Sequence, residues 1–212
     1  MTPELLRALN EARAAKRRAC LVRFLATDEE VLTVDGRAVG GAVLSDEVAK
    51  AIEDALRRDA SGTVETAGGP TFLQVFNPPL RLVVVGAVHI AQSLAPMAAL
   101  AGYAVTVVDP RRAFASDARF PDVALVNDWP DDALEKLGPD RRTAVVTLTH
   151  DPKIDDPGLD AALRSEAFYV AALGSRRTHA GRVARLKELG HDDAAIARIH
   201  GPAGLDIGAV SP

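Results

Sequence analysis

One short stretch constrains this chain more than any other: Arg81-Leu-Val-Val-Val-Gly-Ala-Val-His-Ile-Ala91, an apolar run that breaks at a glycine and passes at once into helical spacing. A nucleotide-binding βαβ unit begins in this way. In such a unit the first glycine makes the tight turn, the second lets the backbone approach a pyrophosphate, and the third position packs helix on strand. Here those places hold Gly86, Val88 and Ala91. The turn and the packing position are kept. A β-branched side chain stands where the closest phosphate contact would fall, so the stretch predicts the framework and questions its usual dinucleotide ligand.

What surrounds this stretch divides the chain. Asn77-Pro78-Pro79 interrupts the pattern between two strands and reads as a linker, giving a small domain over 1–77 and a larger one over 78–212. In the first, Thr2-Pro3 caps a helix reaching about Arg18, Cys20–Ala26 and Val31–Val34 form a hairpin around Asp28-Glu29-Glu30, and Ser45 caps a helix to about Arg58. Thr63–Thr66 and Thr71–Val75 form a second hairpin across Ala67-Gly68-Gly69-Pro70, so the small domain reads as α+β with antiparallel strands.

Beyond Pro79 strands and helices alternate. Leu82–Val85, Val105–Val108, Ala124–Val126, Ala144–Leu148 and Tyr169–Leu173 read as strands, and Asp131–Leu137, Pro157–Arg164, Arg177–Leu189 and Asp192–Ile199 as helices. Ile90–Leu100 is nearly all apolar, which predicts a helix covered by other elements and kinked or divided at Pro96. The alternation predicts an α/β fold: a Rossmann-like parallel sheet with right-handed crossovers and helices on both faces.

Composition narrows the function classes. A formal charge of −4 offers no overall field toward nucleic acid or an anionic membrane, so any anion site must be local. No apolar run approaches the ~20 residues of a membrane span, and the N-terminus lacks a signal-peptide pattern, so a cytoplasmic protein is expected. The single cysteine, Cys20, reads as a buried thiol in a reducing compartment.

In a parallel sheet, ligands settle outside the carboxyl ends of the strands. The segments following the strands are Gly86-Ala87-Val88-His89, Asp109-Pro110-Arg111-Arg112, Asn127-Asp128-Trp129, Thr149-His150-Asp151 and Gly174-Ser175-Arg176-Arg177. Loops are polar wherever they occur, but this set, with its arginines, histidines and glycine turns, reads as an anion pocket in which Arg111, Arg176 and the helix start after Gly86 hold a phosphate. Asp109 lies where an acidic residue bonds the ribose hydroxyls of NAD; it is equally a turn residue before Pro110, and the arginines after it either neutralise it or receive a second phosphate. His150-Asp151 is a possible acid/base pair, and His150, Asp151, His179 and His200 a weak metal set without ligand spacing. No GxSxG elbow, Walker loop or cysteine nucleophile context occurs, so no catalytic residue and no metal ligand is assigned.

Taken in order, Val-Gly-Ala-Val-His-Ile-Ala-Gln (85–92), Val-Val-Asp-Pro-Arg (107–111), Arg119-Phe-Pro121, Asp128-Trp-Pro130, Leu148-Thr-His-Asp-Pro-Lys153, Ala172-Leu-Gly-Ser-Arg-Arg-Thr-His179 and Ile199-His-Gly-Pro-Ala-Gly-Leu-Asp-Ile-Gly-Ala209 closely resemble the Rossmann domain of the XdhC/CoxI family. These are accessory proteins of xanthine dehydrogenase and carbon monoxide dehydrogenase. The resemblance implies a chaperone that binds molybdenum cofactor, shields it, cooperates with a cysteine desulfurase that installs its terminal sulfur, and delivers it to the molybdenum hydroxylase. It implies cofactor binding by Gly86, Ala87, Val88, His89, Asp109, Arg111, His150, Asp151, Gly174, Ser175, Arg176, Arg177 and His179. Molybdopterin carries a phosphate and a flat polar pterin, and its phosphate need not press on the backbone at Val88 as NAD would. The alternatives are a NAD(P)-dependent oxidoreductase using Gly86, Asp109 and His150 or His179, and a non-catalytic nucleotide-sensing module.

The chain departs from the family pattern in three places. Members usually show Gly-Ala-Gly-His where this chain has Gly86-Ala-Val-His89. Their N-terminal Gly-Ser-x-Pro-Arg segment is replaced by Leu25-Ala-Thr-Asp-Glu-Glu30, with Asp35-Gly36 and Gly40-Gly41 keeping part of the following turn, so this domain reads as abbreviated. Members usually continue past the Leu-Asp-Ile-Gly-Ala segment into another helix; a chain without it is expected to expose an apolar strip covered by a partner or, in a homo-oligomer, by a second copy of the chain.

Overall fold

The computed structural model describes residues 1–205, 207 and 208, and divides into two compact units, Met1–Pro78 and Pro79–Pro212. The end of the family-like run, at Asp206 and Ala209, lies outside the described residues.

The first unit contains α1 (Pro3–Ala14), β1 (Ala19–Phe24), β2 (Glu29–Val34), β3 (Arg37–Ala38), α2 (Asp46–Arg58), β4 (Gly62–Thr66) and β5 (Gly69–Phe76). Its sheet has the order β3-β2-β1-β5-β4, antiparallel throughout. Alternation along β1 divides the core. Cys20 and Val22 pack with Ile52 and Leu56 of α2, while Ala19 and Leu21 pack with Leu9 and Ala12 of α1. Burial raises the Cys20 thiol pKa to about 11. Ser45 caps α2 as its sequence position predicts. α1 ends before Arg18 because Lys16 takes a left-handed φ of 53° and Arg17 turns to Asp35, which brings Ala19 into the sheet.

The second unit contains β6 (Arg81–Val85), α3 (His89–Leu100), β7 (Ala104–Val108), β8 (Ala124–Val126), α4 (Pro130–Leu137), β9 (Thr143–Thr147), α5 (Pro152–Arg164), β10 (Tyr169–Ala172), α6 (Arg176–Glu188), α7 (Asp193–Ile196) and β11 (Ile199–His200). Every pairing is parallel, and the order is β11-β10-β9-β6-β7-β8. The chain thus builds outward from β6 to β8, then returns to build outward from β9 to β11, which is the Rossmann arrangement. Alternation along β6 again assigns the faces. Val83 and Val85 pack with Leu134, Leu159 and Leu186 from α4, α5 and α6; Leu82 and Val84 pack with Ala91, Ala95 and Phe120.

In this second unit three elements differ from the sequence reading. α5 starts before Pro157, because Asp151 accepts from the Lys153 amide and Pro152 occupies the first helical position, a stronger start signal than the later proline. Ile199 belongs to β11 rather than to a helix, where it pairs with Val170. α3 is undivided at Pro96 and covered on one side only: Ala91 and Ala95 are fully buried, whereas Met97 and Leu100 are 63% and 90% exposed. Small residues on the inward side let α3 lie close to the sheet, with Leu94 packed at its margin and Ile90, Met97 and Leu100 left exposed.

Candidate functional site

The chain reverses direction across the sheet between β6 and β9, so the crevice for a Rossmann ligand lies at their carboxyl ends. At the β6 end, Gly86 has a φ of 109°, and a Cβ there would stand 2.4 Å from Thr149 Cγ2. The atom that approaches this glycine most closely belongs to the protein itself. Ala87 is held on both sides: its amide donates to Asp109 Oδ2 at 2.8 Å and its carbonyl accepts from Arg119 Nη1 at 3.0 Å.

Asp109 is fully buried at the end of β7. It accepts from the Arg111 amide and Nε, both at 2.9 Å, and from Arg111 Nη2 at 2.7 Å. Burial raises its pKa, but the Arg111 side chain together with the Arg111 and Ala87 amides outweighs burial and holds the carboxyl below its ordinary value. Of the two roles open to Arg111, the structure shows neutralisation of Asp109. Phe114 lies under Arg111 at 4.4 Å and under Arg119 at 5.5 Å, and Arg119 also exchanges hydrogen bonds with Gln92 of α3. Turn, strand end and following loop therefore form one internally bonded assembly. Val88 is the half-buried N-cap of α3, without a side-chain cap, and His89 is exposed.

The ends of β9 and β10 are organised differently. Asp155, buried in α5, reaches back to the β9 end: Oδ1 accepts from the Thr149 amide at 3.2 Å and Thr149 Oγ1 at 2.7 Å, and Oδ2 from the His150 amide at 3.0 Å. Burial raises the Asp155 pKa against these bonds and the charge of Arg182. His150 is exposed with a φ of 63°, and a Cβ on Gly174 would stand 3.7 Å from its Nδ1. Ser175 caps α6 by accepting from the Thr178 amide at 3.1 Å, and Asp151 caps α5. The dipole-positive starts of the two helices thus face the same edge.

Between these helices lies a cavity of about 250 Å³, lined by His150, Asp155, Arg177, Thr178, Arg182 and Arg185. Arg182 is 2% exposed; its Nη2 donates to Asp155 at 3.4 Å and to the Leu173 carbonyl at 3.1 Å. Its Nε and Nη1 are buried without a hydrogen-bond partner among the described residues, as is His179 Nδ1. Burial, then the charge of Arg182, lowers the His179 pKa, so the ring is neutral near pH 7. Gly201 admits that ring, since a Cβ there would stand 2.3 Å from Nδ1.

The structure therefore places the sequence-derived candidates in two groups. Gly86, Ala87, Asp109 and Arg111 close on one another, with Val88 and His89 beside them. His150 and Arg177 line the cavity, and Asp151, Gly174, Ser175, Arg176 and His179 belong to the helix starts and segments around it. His200 stacks on Tyr169 at 4.7 Å, and no group of three or more His, Cys, Asp or Glu side chains could hold a metal among the described residues. Thr149 and Arg119 were named only within their segments, without a role, and Asp155 and Arg182 were missed. Arg182 had a signal: Thr178, Arg182 and Leu186 recur at four-residue spacing, which puts an arginine on the buried stripe of α6.

Residues 82–212 match the family described as the XdhC Rossmann domain. The chain belongs to this family. Over 130 residues it is 33% identical to the molybdenum cofactor insertion chaperone PaoD of Escherichia coli (strain K12), covering 61% of this chain and 35% of that protein. Over 167 residues it is 30% identical to a probable xanthine dehydrogenase subunit of Bacillus subtilis (strain 168), covering 75% of this chain and 48% of the relative. The chain thus spans less than half the length of these two relatives. A crystal structure of a xanthine dehydrogenase from Bacillus halodurans shares the fold, with a TM-score of 0.72 at 24% identity over 97% of this chain and 61% of that one. Among the described residues, no helix is long and apolar enough to cross a membrane.

Proposed function

We propose that this chain binds molybdenum cofactor and acts as an accessory chaperone, protecting the cofactor while a cysteine desulfurase sulfurates it and delivering it to a xanthine dehydrogenase-type molybdenum hydroxylase. The observation that carries this reading is an arginine-lined cavity at the carboxyl edge of the sheet, in a member of the XdhC family. Molybdopterin needs an anion receptor beside polar strand ends, and unmatched arginine donors on α6 supply the first. In this reading His150, Asp151, Gly174, Ser175, Arg176, Arg177 and His179 hold the cofactor. Gly86, Ala87, Val88, His89, Asp109 and Arg111 frame its other side. Similarity to PaoD supports the insertion role.

A second reading, a NAD(P)-dependent oxidoreductase, draws on the strand order and on Asp109 at the end of β7. It requires ribose hydroxyls to displace Arg111 from a fully buried carboxylate, and a pyrophosphate to displace the partners of Ala87. The experiment is side-by-side equilibrium retention of molybdopterin, NAD and NADP by the purified protein, followed by transfer to an apo-hydroxylase. Retention of molybdopterin, with hydroxylase activity restored in proportion to cofactor supplied, is expected. Micromolar NAD binding without molybdopterin retention would reverse the order of the two readings.

A further inference from the structure

We propose that the cavity between α5 and α6 is a binding site for a phosphate monoester group, with Arg182 as its buried anchor and Arg177 at its rim. The proposal rests on the cofactor reading for the identity of the molecule that carries the phosphate, but not for the anion itself. It moves the anion site from Arg111 and Arg176, where the sequence puts it, to a residue outside the sequence-derived set.

Hydrogen-bond capacity points to an anion. A guanidinium carries five N–H donors and cannot neutralise itself by losing a proton, so burying one with donors unmatched is costly. Arg182 is buried with both Nε and Nη1 unmatched. The carboxylate beside it does not answer this need. Asp155 is already bonded by the Thr149 amide and hydroxyl and by the His150 amide, and its bond to Arg182 is the longest of the four at 3.4 Å.

Charge points the same way. Three arginines and two aspartates line the cavity, leaving one positive charge in excess. Asp156 is matched by Arg185 through Nε and Nη2, while Arg177 forms no ion pair among the described residues. The first turn of the thirteen-residue helix α6, contributing Arg177 and Thr178, adds the positive end of its dipole. A dianionic monoester group exceeds a single-charge diester in both charge and free oxygens, so it better suits a guanidinium with two unmatched donors beside the unpaired Arg177.

Room and access set the size of the ligand. A volume of about 250 Å³ holds roughly eight waters at ~30 Å³ each, enough for a phosphate group and its first attached atoms but not for a dinucleotide. The remainder of the ligand would lie outside, along His150 and the Gly174–His179 segment.

The test uses the intact protein with phenyl phosphate and inorganic phosphate as probes and sulfate as the comparison anion. Calorimetry gives affinity, and the Arg182 Nε–H resonance gives location. Expected are a dissociation constant of about 1 mM or tighter for phenyl phosphate, a shift of that resonance on binding, and weaker binding of sulfate. Arg182→Lys keeps charge but loses the planar donors and should weaken binding about tenfold or more. The exposed Arg177→Ala, which leaves the interior untouched, should weaken it about fivefold. Absence of phosphate binding by the wild-type protein, or binding that neither variant changes, overturns the site. The two readings fail separately. Phosphate binding here without molybdopterin retention sinks the cofactor reading alone; molybdopterin retention unchanged in both variants sinks the site alone.

Discussion

The glycine turn after β6 and the cavity between α5 and α6 lie at the carboxyl edge of the same sheet, and their polar groups are in opposite states. At the turn the Ala87 amide and carbonyl and both oxygens of Asp109 already have protein partners, and the methyl of Thr149 lies over Gly86. At the cavity two donors of a buried arginine have none. A glycine motif thus marks backbone geometry, which packing alone can require, whereas unmatched buried donors mark where the protein leaves hydrogen-bonding capacity unused. Asp155 joins the two regions, since the carboxylate beside Arg182 also fixes the threonine that lies on Gly86.

The largest expected effect comes from breaking the turn. Gly86→Ala adds a Cβ 2.4 Å from Thr149 Cγ2 at a φ of 109°, and overpacking plus the left-handed backbone should cost about 3–5 kcal/mol by urea denaturation. Thr149→Ser in the same chain removes the clashing methyl and keeps the hydroxyl for Asp155, so about half the loss should return. If Gly86 instead serves a ligand, Gly86→Ala will be nearly neutral for stability and will lower affinity alone.

Next is the ion pair. From sequence, Arg111→Ala should weaken phosphate retention and barely change stability. The structure reverses that order, because the variant strands a fully buried carboxylate. The loss should be about 3 kcal/mol, at the low end for a broken buried pair because Arg111 itself is 36% exposed. Its pH dependence has a definite sign. The Asp109 pKa is lowered in the folded state, so its contribution is complete above the ordinary value of 3.8 and is lost as pH falls through the lower folded value. In Arg111→Ala the two amides remain but the guanidinium is gone, so the folded pKa moves up from its wild-type value and this pH-dependent contribution shrinks. Denaturation curves of the two proteins should converge in acid and separate toward neutrality; a constant gap would refute the pairing as the cause.

The smallest effect is expected at Val88. If Val88 alone excluded dinucleotides, Val88→Gly would create NAD binding. Because the neighbouring groups remain occupied, the change in NAD affinity should stay under about threefold, less than ~0.7 kcal/mol. A gain of a hundredfold would restore the steric explanation and show that Asp109 and Arg119 release Ala87 readily.

Much of this molecule was legible in its sequence, for identifiable reasons. Alternation placed nearly all the strands, Ser45 and Thr2 announced their helices, and the ordered motifs identified the family. The strand-end segments read from the sequence do lie along one edge of the sheet. The sequence did not show pairing among them. Whether Arg111 meets a phosphate or Asp109, and whether Thr149 fills the space over Gly86, depends on side-chain directions that spacing leaves open. β11 was missed because Ile199 and His200 form too short a strand to show a period, and α5 was shortened because Pro157 looked like a start signal.

On the proposed reading the cofactor engages the α5–α6 side of the edge more strongly than the glycine turn. Amide hydrogen exchange on the intact protein, with and without molybdopterin, tests it directly. The largest slowing is expected at residues 150–156 and 175–185, around the cavity and the two helix starts. Slowing confined to residues 86–92 and 109–112 would place the ligand on the glycine turn and contradict the claim.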